Sequence, residues 1–449
     1  MVRPSRWFLV LASLLAAPQA RAQASSFFLP PSAVLTNYDR VLIGQEEALE
    51  SGAFTARVAD STAGWYNPAG LALVQRSVIG ASATGYELDI VDLGEIQTAA
   101  GKTTLAQLPS YFGAVLGGDV IRSDTWRIGF SATKPTSWST AVNGATLDGS
   151  GAVYSSRVSI STLIPALAAA WAPIPSLRLG AGLGVAITSI SQAQQLSMRN
   201  ASADATVRNS DGTGVTWGGQ LSAGVQWDAT PHLVVGASMS TPTLRIFQSG
   251  SLTFQSIDTN AQGNTQVYFR DPDATFAYHI PLNVNLGVAW RAPTFEVEVD
   301  VRYHAQVTPY LMIASNQPVQ TVVVQNGQVV RNDSAPFAGL TYGASNVWNV
   351  AVGGRYTLDE SWSLHGGFYT DAAPSAPTES RVFRSVDLYG LTAGAKLKGD
   401  HLSGSLGLGV CWGSSDDFLL GTPGSPYPPV ATRLSILSLS LLYAIAYRF

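Results

Sequence analysis

The chain is poor in charge and has almost no cysteine. Only 12% of its 449 residues are Asp, Glu, Lys or Arg, whereas an average soluble domain contains about 25%. The single cysteine, Cys411, cannot form an internal disulfide, so we expect a fold held without such bridges and a thiol buried on a strand. A formal net charge of −4 argues against a basic surface, and no nucleic-acid partner is expected.

Long apolar runs are also scarce, with one exception at the N-terminus. Residues 1–24 contain Arg3 and Arg6, an apolar run over residues 7–17, and small residues at cleavage spacing in either of two registers, ARA or AQA. This pattern predicts a secretory signal peptide. Its removal lowers the net charge to −7, because 23 basic residues remain against 30 acidic ones. No later run reaches about 18 apolar residues, so no transmembrane helix is predicted.

In place of long apolar runs, the chain has segments in which apolar and polar residues alternate, as they do in β-strands. In residues 295–304 two faces alternate without a break: Phe295, Val297, Val299, Val301 and Tyr303 on one, and Glu296, Glu298, Asp300, Arg302 and His304 on the other. A half-buried strand of a soluble protein also alternates. An apolar face about ten residues long that ends in aromatic residues better fits the lipid-facing band of a membrane barrel, about 25 Å tall. Residues 437–449 repeat the pattern.

Fourteen strand-like runs follow one another after residue 75. They lie near residues 76–88, 109–118, 124–133, 156–172, 176–190, 213–228, 231–246, 281–291, 293–306, 345–357, 360–370, 383–399, 401–412 and 433–449. Short connections follow the even-numbered runs and long ones follow most of the others, as in outer-membrane barrels. The predicted fold is an all-β transmembrane barrel of about 14 antiparallel strands over residues 76–449. Both termini should lie on the periplasmic side, and the longest loops, 247–280 and 307–344, should face outward.

Residues 49–71, LESGAFTARVADSTAGWYNPAGL, are the sizeable non-strand piece next to this barrel. Apolar residues recur at roughly helical spacing, and Asn67-Pro68 predicts a sharp turn whose Asn side chain bonds the backbone two residues on. Eight strands fill their own lumen, whereas roughly 16 to 18 leave an aqueous channel, so a barrel of about 14 needs a plug. We expect residues 25–75 to form an N-terminal extension and a small helical plug in the lumen. An ordinary N-terminal cap would show the same turn.

Several of these motifs resemble the FadL/TodX family of outer-membrane transporters for hydrophobic compounds. The similarity begins at Gly52-Ala53, continues through Ala59-Asp60 and is clearest at residues 67–71, NPAGL, which resemble the family's hatch motif. Similar patterns recur in the barrel: PALA at 165–168, LGAGL at 179–183, PL at 281–282, LGVAW at 286–290, and WSLHGG at 362–367 followed by Pro374.

The resemblance implies passive transport of hydrophobic compounds through the bacterial outer membrane, with a movable hatch and lateral release through the wall. Long-chain fatty acids are the leading substrates, aromatic hydrocarbons are the other candidates, and outer-membrane lipid surrounds the barrel. The predicted hatch and gating residues are Asp60, Asn67, Pro68, Ala69 and Gly70. The predicted ligand contacts are Phe54, Trp65 and Tyr66. No cofactor, metal or catalytic residue is expected.

Other functions stay open at this point. A general diffusion porin would have an open lumen, which the plug argues against, and a structural or adhesive barrel would take up no ligand. The three acids of residues 296–300 could serve as catalytic carboxylates, but ion pairs with Arg291, Arg302 and Arg355 are the better interpretation.

The remaining polar residues point to structure rather than to chemistry. His304 and His365 are expected to line the lumen and His232 and His401 to lie in turns, which leaves no His/Cys metal cluster. Residues 37–50 could be a helix for a partner; we expect instead an extension packed under the barrel.

Overall fold

The computed structural model describes residues 33–34, 37–92, 100–105, 110–145, 153–199, 204–337, 339–374, 383–384, 386–420 and 430–449. The predicted signal peptide, residues 1–24, lies outside them. In the described residues one antiparallel sheet of fourteen wall strands closes into a barrel, which confirms the predicted fold.

The wall strands have the following bounds: β1 Val78–Asp92, β2 Ala100–Leu105 and Tyr111–Leu116, β3 Trp126–Ala145, β4 Val153–Ile174, β5 Leu177–Arg199, β6 Ala205–Asp228, β7 Leu233–Ser240 and Leu244–Asn260, β8 Gly263–Phe276 and Asn283–Arg291, β9 Phe295–His304, Val307–Ala314 and Pro318–Gln325, β10 Gln328–Pro336, Leu340–Ala344 and Val347–Thr357, β11 Trp362–Asp371, β12 Leu388–Lys398, β13 Leu402–Leu420, and β14 Val430–Arg448. β14 pairs with β1, where Arg448 lies opposite Val78, so the predicted closure is confirmed.

Two of the predicted long loops are wrong. Residues 247–280 and 307–344 are mostly strand, because β7 continues into β8 through a hairpin that turns at residues 261–262, and β9 continues into β10 through one that turns at residues 326–327. In the first hairpin Leu252 and Phe254 are buried, whereas Thr253 and Gln255 face outward and are exposed. Strands with a polar outer face lack the lipid-facing pattern from which the barrel was predicted.

The outer face of the wall is apolar over a band bounded by aromatic rings. Trp217 and Trp227 on β6 are both exposed and lie ten residues apart, about 33 Å along a strand. At a tilt of about 40° this span is about 25 Å high, the height of the apolar band of a membrane barrel. On β9, Phe295 and Val299 are exposed, while Glu298 and Asp300 are fully buried. The predicted faces of residues 295–304 are therefore confirmed.

The helices are short. α1 (Glu46–Leu49), α2 (Ala63–Tyr66) and a 3₁₀ helix (Pro68–Leu73) lie inside the barrel, and α3 (Gly118–Ile121) lies in the connection between β2 and β3. We call residues 37–75, which contain the first three of these helices, the plug. In the part of the chain that the structure describes, no helix is both long enough and apolar enough to span a membrane.

Residues 37–50 lie inside the barrel and not under it, so this prediction is wrong. Asn37 Nδ2 donates to the main-chain oxygens of Asp371 at 2.6 Å and Val386 at 2.8 Å, near the long connection from β11 to β12. Within that connection, Phe383–Arg384 pairs in parallel with Ala33–Val34. Amphipathic spacing shows that a segment buries one face, but it does not show against which end of the barrel.

Candidate functional site

The plug turns at Asn67, which is fully buried. Its Oδ1 accepts from the main-chain N–H of Ala69 at 3.1 Å and so caps the 3₁₀ helix, as predicted. Its Nδ2 donates to Thr55 O within the plug at 2.8 Å and to Val225 O of β6 at 2.9 Å. One side chain therefore closes the turn, joins two parts of the plug and anchors the plug to the wall.

The residues after Asn67 are small because neighbouring backbone comes very close. A Cβ on Gly70 would lie 2.2 Å from Val58 O. On the wall, a Cβ on Gly180 of β5 would lie 2.3 Å from the Ala69 nitrogen. Pro68 occupies the first position of the 3₁₀ helix, where its missing N–H costs nothing. The structure thus brings Asn67, Pro68, Ala69 and Gly70 together against the wall; their role in gating stays a prediction.

Arg57 is the central charge of the plug. It is buried, forms a close ion pair with Glu50 of the plug, and its Nε lies 3.0 Å from Glu298 Oε2 of β9. Its guanidinium also stacks over the ring of Phe54 at 4.0 Å. Burial alone would lower the pKa of Arg57, but Glu50 and Glu298 raise it above its ordinary value. Arg57 therefore stays positively charged, and its contacts with Glu50 and Glu298 hold the plug against the wall.

Asp300 of β9 binds the plug through its backbone. Its Oδ2 accepts from the main-chain N–H groups of Phe54 and Thr55, both at 3.1 Å, and from Thr55 Oγ1 at 2.8 Å. These donors lie in a turn that carries no helix, so the wall carboxylate satisfies groups that would otherwise be buried without partners.

The ion pairs predicted within the wall are only partly right. Arg355 does bind Glu296, at 3.0 Å. Arg302, however, reaches Asp39 of the plug at 3.3 Å, and Arg291 lies 3.7 Å from Asp228. The sequence did not show which wall side chains contact the plug, so residues on one strand face were assigned to each other.

The N-terminal end of the plug is fastened by Asp39. Arg302 Nη1 lies 3.3 Å from its carboxylate, His304 Nε2 3.1 Å and Asn349 Nδ2 2.7 Å. Burial alone would raise the pKa of Asp39, but His304 and Arg302 lower it below its ordinary range. Tyr38 stacks on His304 with 4.5 Å between ring centroids. Both predicted lumen histidines, His304 and His365, are buried and contact the plug.

Glu46, Glu50 and His365 offer ligand atoms within 4.8 Å of one another, which is a possible metal arrangement. The carboxylates already have cationic partners, however. Glu46 binds Lys396 and, at 3.0 Å, Arg355. Burial alone would raise the pKa of Glu46, but these two cations lower it below its ordinary range. The donor set fits an ion-pair network, so no metal is assigned to it.

Asp60, a predicted gating residue, and Glu47 both lie within hydrogen-bond distance of the Thr62 hydroxyl. Thr62 Oγ1 lies 2.6 Å from Asp60 Oδ1 and 2.8 Å from Glu47 Oε1. Burial and then repulsion from Asp60 and Glu46 raise the pKa of Glu47 well above its ordinary value, and burial also raises that of Asp60. Because one hydroxyl donates a single proton, both contacts are hydrogen bonds only when one carboxyl is protonated.

Phe54, Trp65 and Tyr66 pack inside the barrel against both plug and wall. Tyr66 donates its hydroxyl to Ile43 O at 2.8 Å, and half-buried Trp65 packs against an apolar cluster of plug and wall residues. Phe54 lies beneath Arg57. Their role as ligand contacts stays a prediction.

Sequence reasoning missed a ring of wall glycines that faces the plug. A Cβ on any of them would lie less than 3.0 Å from a plug atom, and in the described residues nine strands contribute one each: Gly80, Gly180, Gly224, Gly236, Gly287, Gly353, Gly367, Gly394 and Gly407. Gly353, for example, would place its Cβ 2.3 Å from Glu50 O. Glycine at inward positions of successive strands was the available signal, because it marks close approach of another backbone.

A cavity lies beside the plug, between its N-terminal part and the wall. Its polar lining includes Arg40 of the plug and Lys134 of β3, and its apolar lining includes Leu42 and Leu442. Arg40 Nη2 donates to Ser438 Oγ of β14 at 2.7 Å. Buried Cys411, as predicted a strand thiol, also lines this cavity. We call it the plug-side cavity.

Farther toward the long connections the interior becomes apolar. The buried cluster there includes Ile160, Ile190, Leu196, Leu252, Phe254, Phe269, Phe276, Met312, Ile313 and Leu434. We call this region the vestibule. It offers apolar surface to a ligand.

Comparison with known proteins finds the same fold in solved structures. A Pseudomonas aeruginosa FadL homologue matches with a TM-score of 0.63 at 13% identity, covering 92% of this chain and all of that one. The Ralstonia pickettii toluene transporter TbuX matches at 0.58 and 15%, covering 90% and 98%. The CymD monoaromatic hydrocarbon channel matches at 0.56 and 14%, covering 91% and 97%. No protein-family profile and no curated protein sequence matches the chain.

Proposed function

We propose that the chain is an outer-membrane channel for passive transport of hydrophobic compounds, with long-chain fatty acids as its main substrates. The plug-side cavity is the observation that carries this proposal. Two cations from different parts of the chain, Arg40 of the plug and Lys134 of the wall, line it beside apolar side chains. A fatty acid has the matching chemistry, an anionic head on an apolar chain.

Transport in this proposal needs no energy source. An apolar chain that leaves water for the vestibule gains on the order of 25 cal/mol per Å² of buried apolar surface. The carboxylate then pairs with Arg40 and Lys134, which an uncharged aromatic hydrocarbon cannot do. The fold likeness to toluene and monoaromatic hydrocarbon channels supports the apolar part of this route.

Lateral release through the wall is the exit that we propose. The ladder between β3 and β4 shifts register between Thr133 and Thr136, so Lys134 and Pro135 lie at an irregularity. Lys134 also lines the plug-side cavity. Proline cannot donate to a ladder and marks a weak point in a sheet. Replacing Pro135→Val should strengthen the ladder and slow fatty-acid uptake without opening the lumen to polar solutes.

The test of substrate class compares Arg40→Gln with the wild type in binding assays on the purified full chain. Losing the cation should weaken binding of a long-chain fatty acid at neutral pH about tenfold, the size of one charge-assisted hydrogen bond, and leave toluene binding unchanged. Equal loss for both ligands, or no loss for either, would remove the head-group role. Gln255→Leu, a change at an exposed position of β7, is the control.

Two other functions predict different outcomes. A general diffusion porin would conduct small ions through an open lumen, which the network around Arg57 and Asp300 argues against. A structural or adhesive barrel would bind neither fatty acid nor toluene. The same binding assay, combined with conductance in a planar bilayer, separates all three.

A further inference from the structure

A second pocket lies in the vestibule and differs in chemistry from the plug-side cavity. It is formed where β5, β6, β7, β8 and β9 face one another, and its apolar lining includes Ile190, Leu252, Phe276 and Ile313. No Asp, Glu, Lys or Arg is among the described residues that line it. A ligand group placed here leaves water without meeting a counter-ion.

One polar group in this pocket has no partner. Gln192 of β5 is 5% exposed, and its Nε2 makes no hydrogen bond within the described residues. Buried amide groups are nearly always hydrogen-bonded, since an unmade bond is costly. Thr213, Ser251 and Thr275 also line the pocket, but their hydroxyls already have partners. The unpaired amide donor therefore points to an acceptor that arrives with a ligand.

Glycine keeps the space beside this amide open. A Cβ on Gly212 of β6 would lie 3.1 Å from Leu252 Cδ1 and 3.4 Å from Gln192 Cγ. A side chain at this position would therefore contact both the apolar lining and the amide. Substituting Gly212 thus reduces the space in the pocket and keeps the Gln192 donor.

We propose that this pocket binds a neutral, mostly apolar molecule with a single hydrogen-bond acceptor, such as a ketone, ester or ether, whose oxygen accepts from Gln192 Nε2. An anion is disfavoured because a carboxylate in apolar surroundings without a counter-ion is strongly destabilised. The inference does not rest on Arg40 or on transport; it concerns binding at a second site on the same inward path.

The test uses the purified full chain in detergent and three probes of equal length: undecane, 2-undecanone and undecanoate. Competition against a fluorescent apolar probe gives each affinity. In the wild type the ketone should bind about tenfold more tightly than the alkane, because it pairs the buried amide. Gln192→Leu should remove that difference and leave alkane binding within about twofold, since Leu keeps the bulk and apolar contacts.

Controls make the result specific to this site. Gln195→Leu, an exposed position on the same strand, should keep the ketone preference. Gly212→Ala should weaken binding of both the ketone and the alkane. A ketone preference that persists in Gln192→Leu would overturn the proposal, and so would a wild-type preference for undecanoate that Gln192→Leu abolishes. Arg40→Gln should leave the ketone-to-alkane ratio unchanged, so failure of the fatty-acid proposal is seen separately.

Discussion

The plug–wall interface and the vestibule occupy one lumen but are built on opposite principles. At the plug, wall glycines admit backbone, and charged side chains such as Arg57, Glu298 and Asp300 fix it by directed bonds. In the vestibule, large apolar side chains such as Leu252 and Phe276 face the interior. Directed polar contacts specify one position, whereas apolar surface accepts ligands of varied shape.

One barrel can therefore hold a fixed closing element beside an apolar region that suits varied ligands. The closing element must be held in a single arrangement, and buried ion pairs serve this purpose because a displaced partner leaves a charge without compensation. In the channel that we propose, the entry region should not distinguish finely among hydrocarbons.

The largest effect is expected from Arg57→Met. The change leaves Glu50 and Glu298 buried without their cation, which typically costs about 3–5 kcal/mol. Because the fourteen-strand ladder is untouched, the barrel should assemble and the plug should leave its position. Ion conductance in planar bilayers should rise from near zero to a stable open level. The control Arg331→Met breaks an exposed pair with Asp333 and should leave conductance at the wild-type level.

A second prediction tests which face of β9 meets the plug. Val299→Arg places a charge on the lipid-facing band, at a cost of about 2–4 kcal/mol near the midplane, and should hinder assembly in the membrane. Glu298→Ala on the inner face should assemble normally. Quantifying folded barrel in membrane fractions checks this. Normal assembly of Val299→Arg together with failure of Glu298→Ala would reverse the two faces.

Asn67→Ala should loosen the plug without affecting the barrel. The loss leaves Thr55 O and Val225 O without this donor and removes the cap of the 3₁₀ helix. A cost of about 1–3 kcal/mol changes the population of a displaced plug by roughly 5- to 150-fold. Uptake of a labelled long-chain fatty acid should change, and leakage of small polar solutes should increase. Unchanged values at equal surface abundance would leave the turn as a folding feature only.

The glycine ring offers a matched pair on one strand. A Cβ on Gly367 would lie 2.5 Å from Glu50 C, whereas one on Gly366 would meet only Thr392 O, at 3.5 Å. Gly367→Ala should therefore displace the plug at a cost of about 1–3 kcal/mol, and Gly366→Ala should be nearly silent. Protease accessibility of the plug measures both. Equal behaviour of the two variants would show that the close approach does not hold the plug.

The smallest effect concerns pH. The pKa values of Glu47 and Asp60 are raised by burial, so the docked plug favours their protonated forms. Docking should be firmest below the ordinary carboxyl range and weaken as pH rises through the raised pKa of the docked state. Leakage should therefore increase as pH rises above the ordinary carboxyl range. Glu47→Gln removes one charge and should flatten this profile; an equally steep profile in that variant would exclude the pair as its cause.

The sequence predicted the barrel well because lipid contact imposes a strict alternation, and it predicted the Asn67 bond to Ala69 because that bond is local. Contacts between the plug and the wall could not be predicted. Arg57 and Glu298 are 241 residues apart, and nothing in either segment identifies the partner. The β7–β8 hairpin was missed since its outer face carries exposed polar residues such as Thr253 and Gln255.

Uptake by intact Gram-negative cells that lack their own transporter for hydrophobic compounds distinguishes a plugged channel from an open pore and from an inert barrel. Cells producing this chain are given a labelled long-chain fatty acid and a labelled small sugar together. If the chain is a plugged channel with an apolar route, cells that produce it should take up the fatty acid several-fold faster than cells with an empty vector. They should exclude the sugar. Entry of both would contradict closure by the plug, and entry of neither would contradict transport.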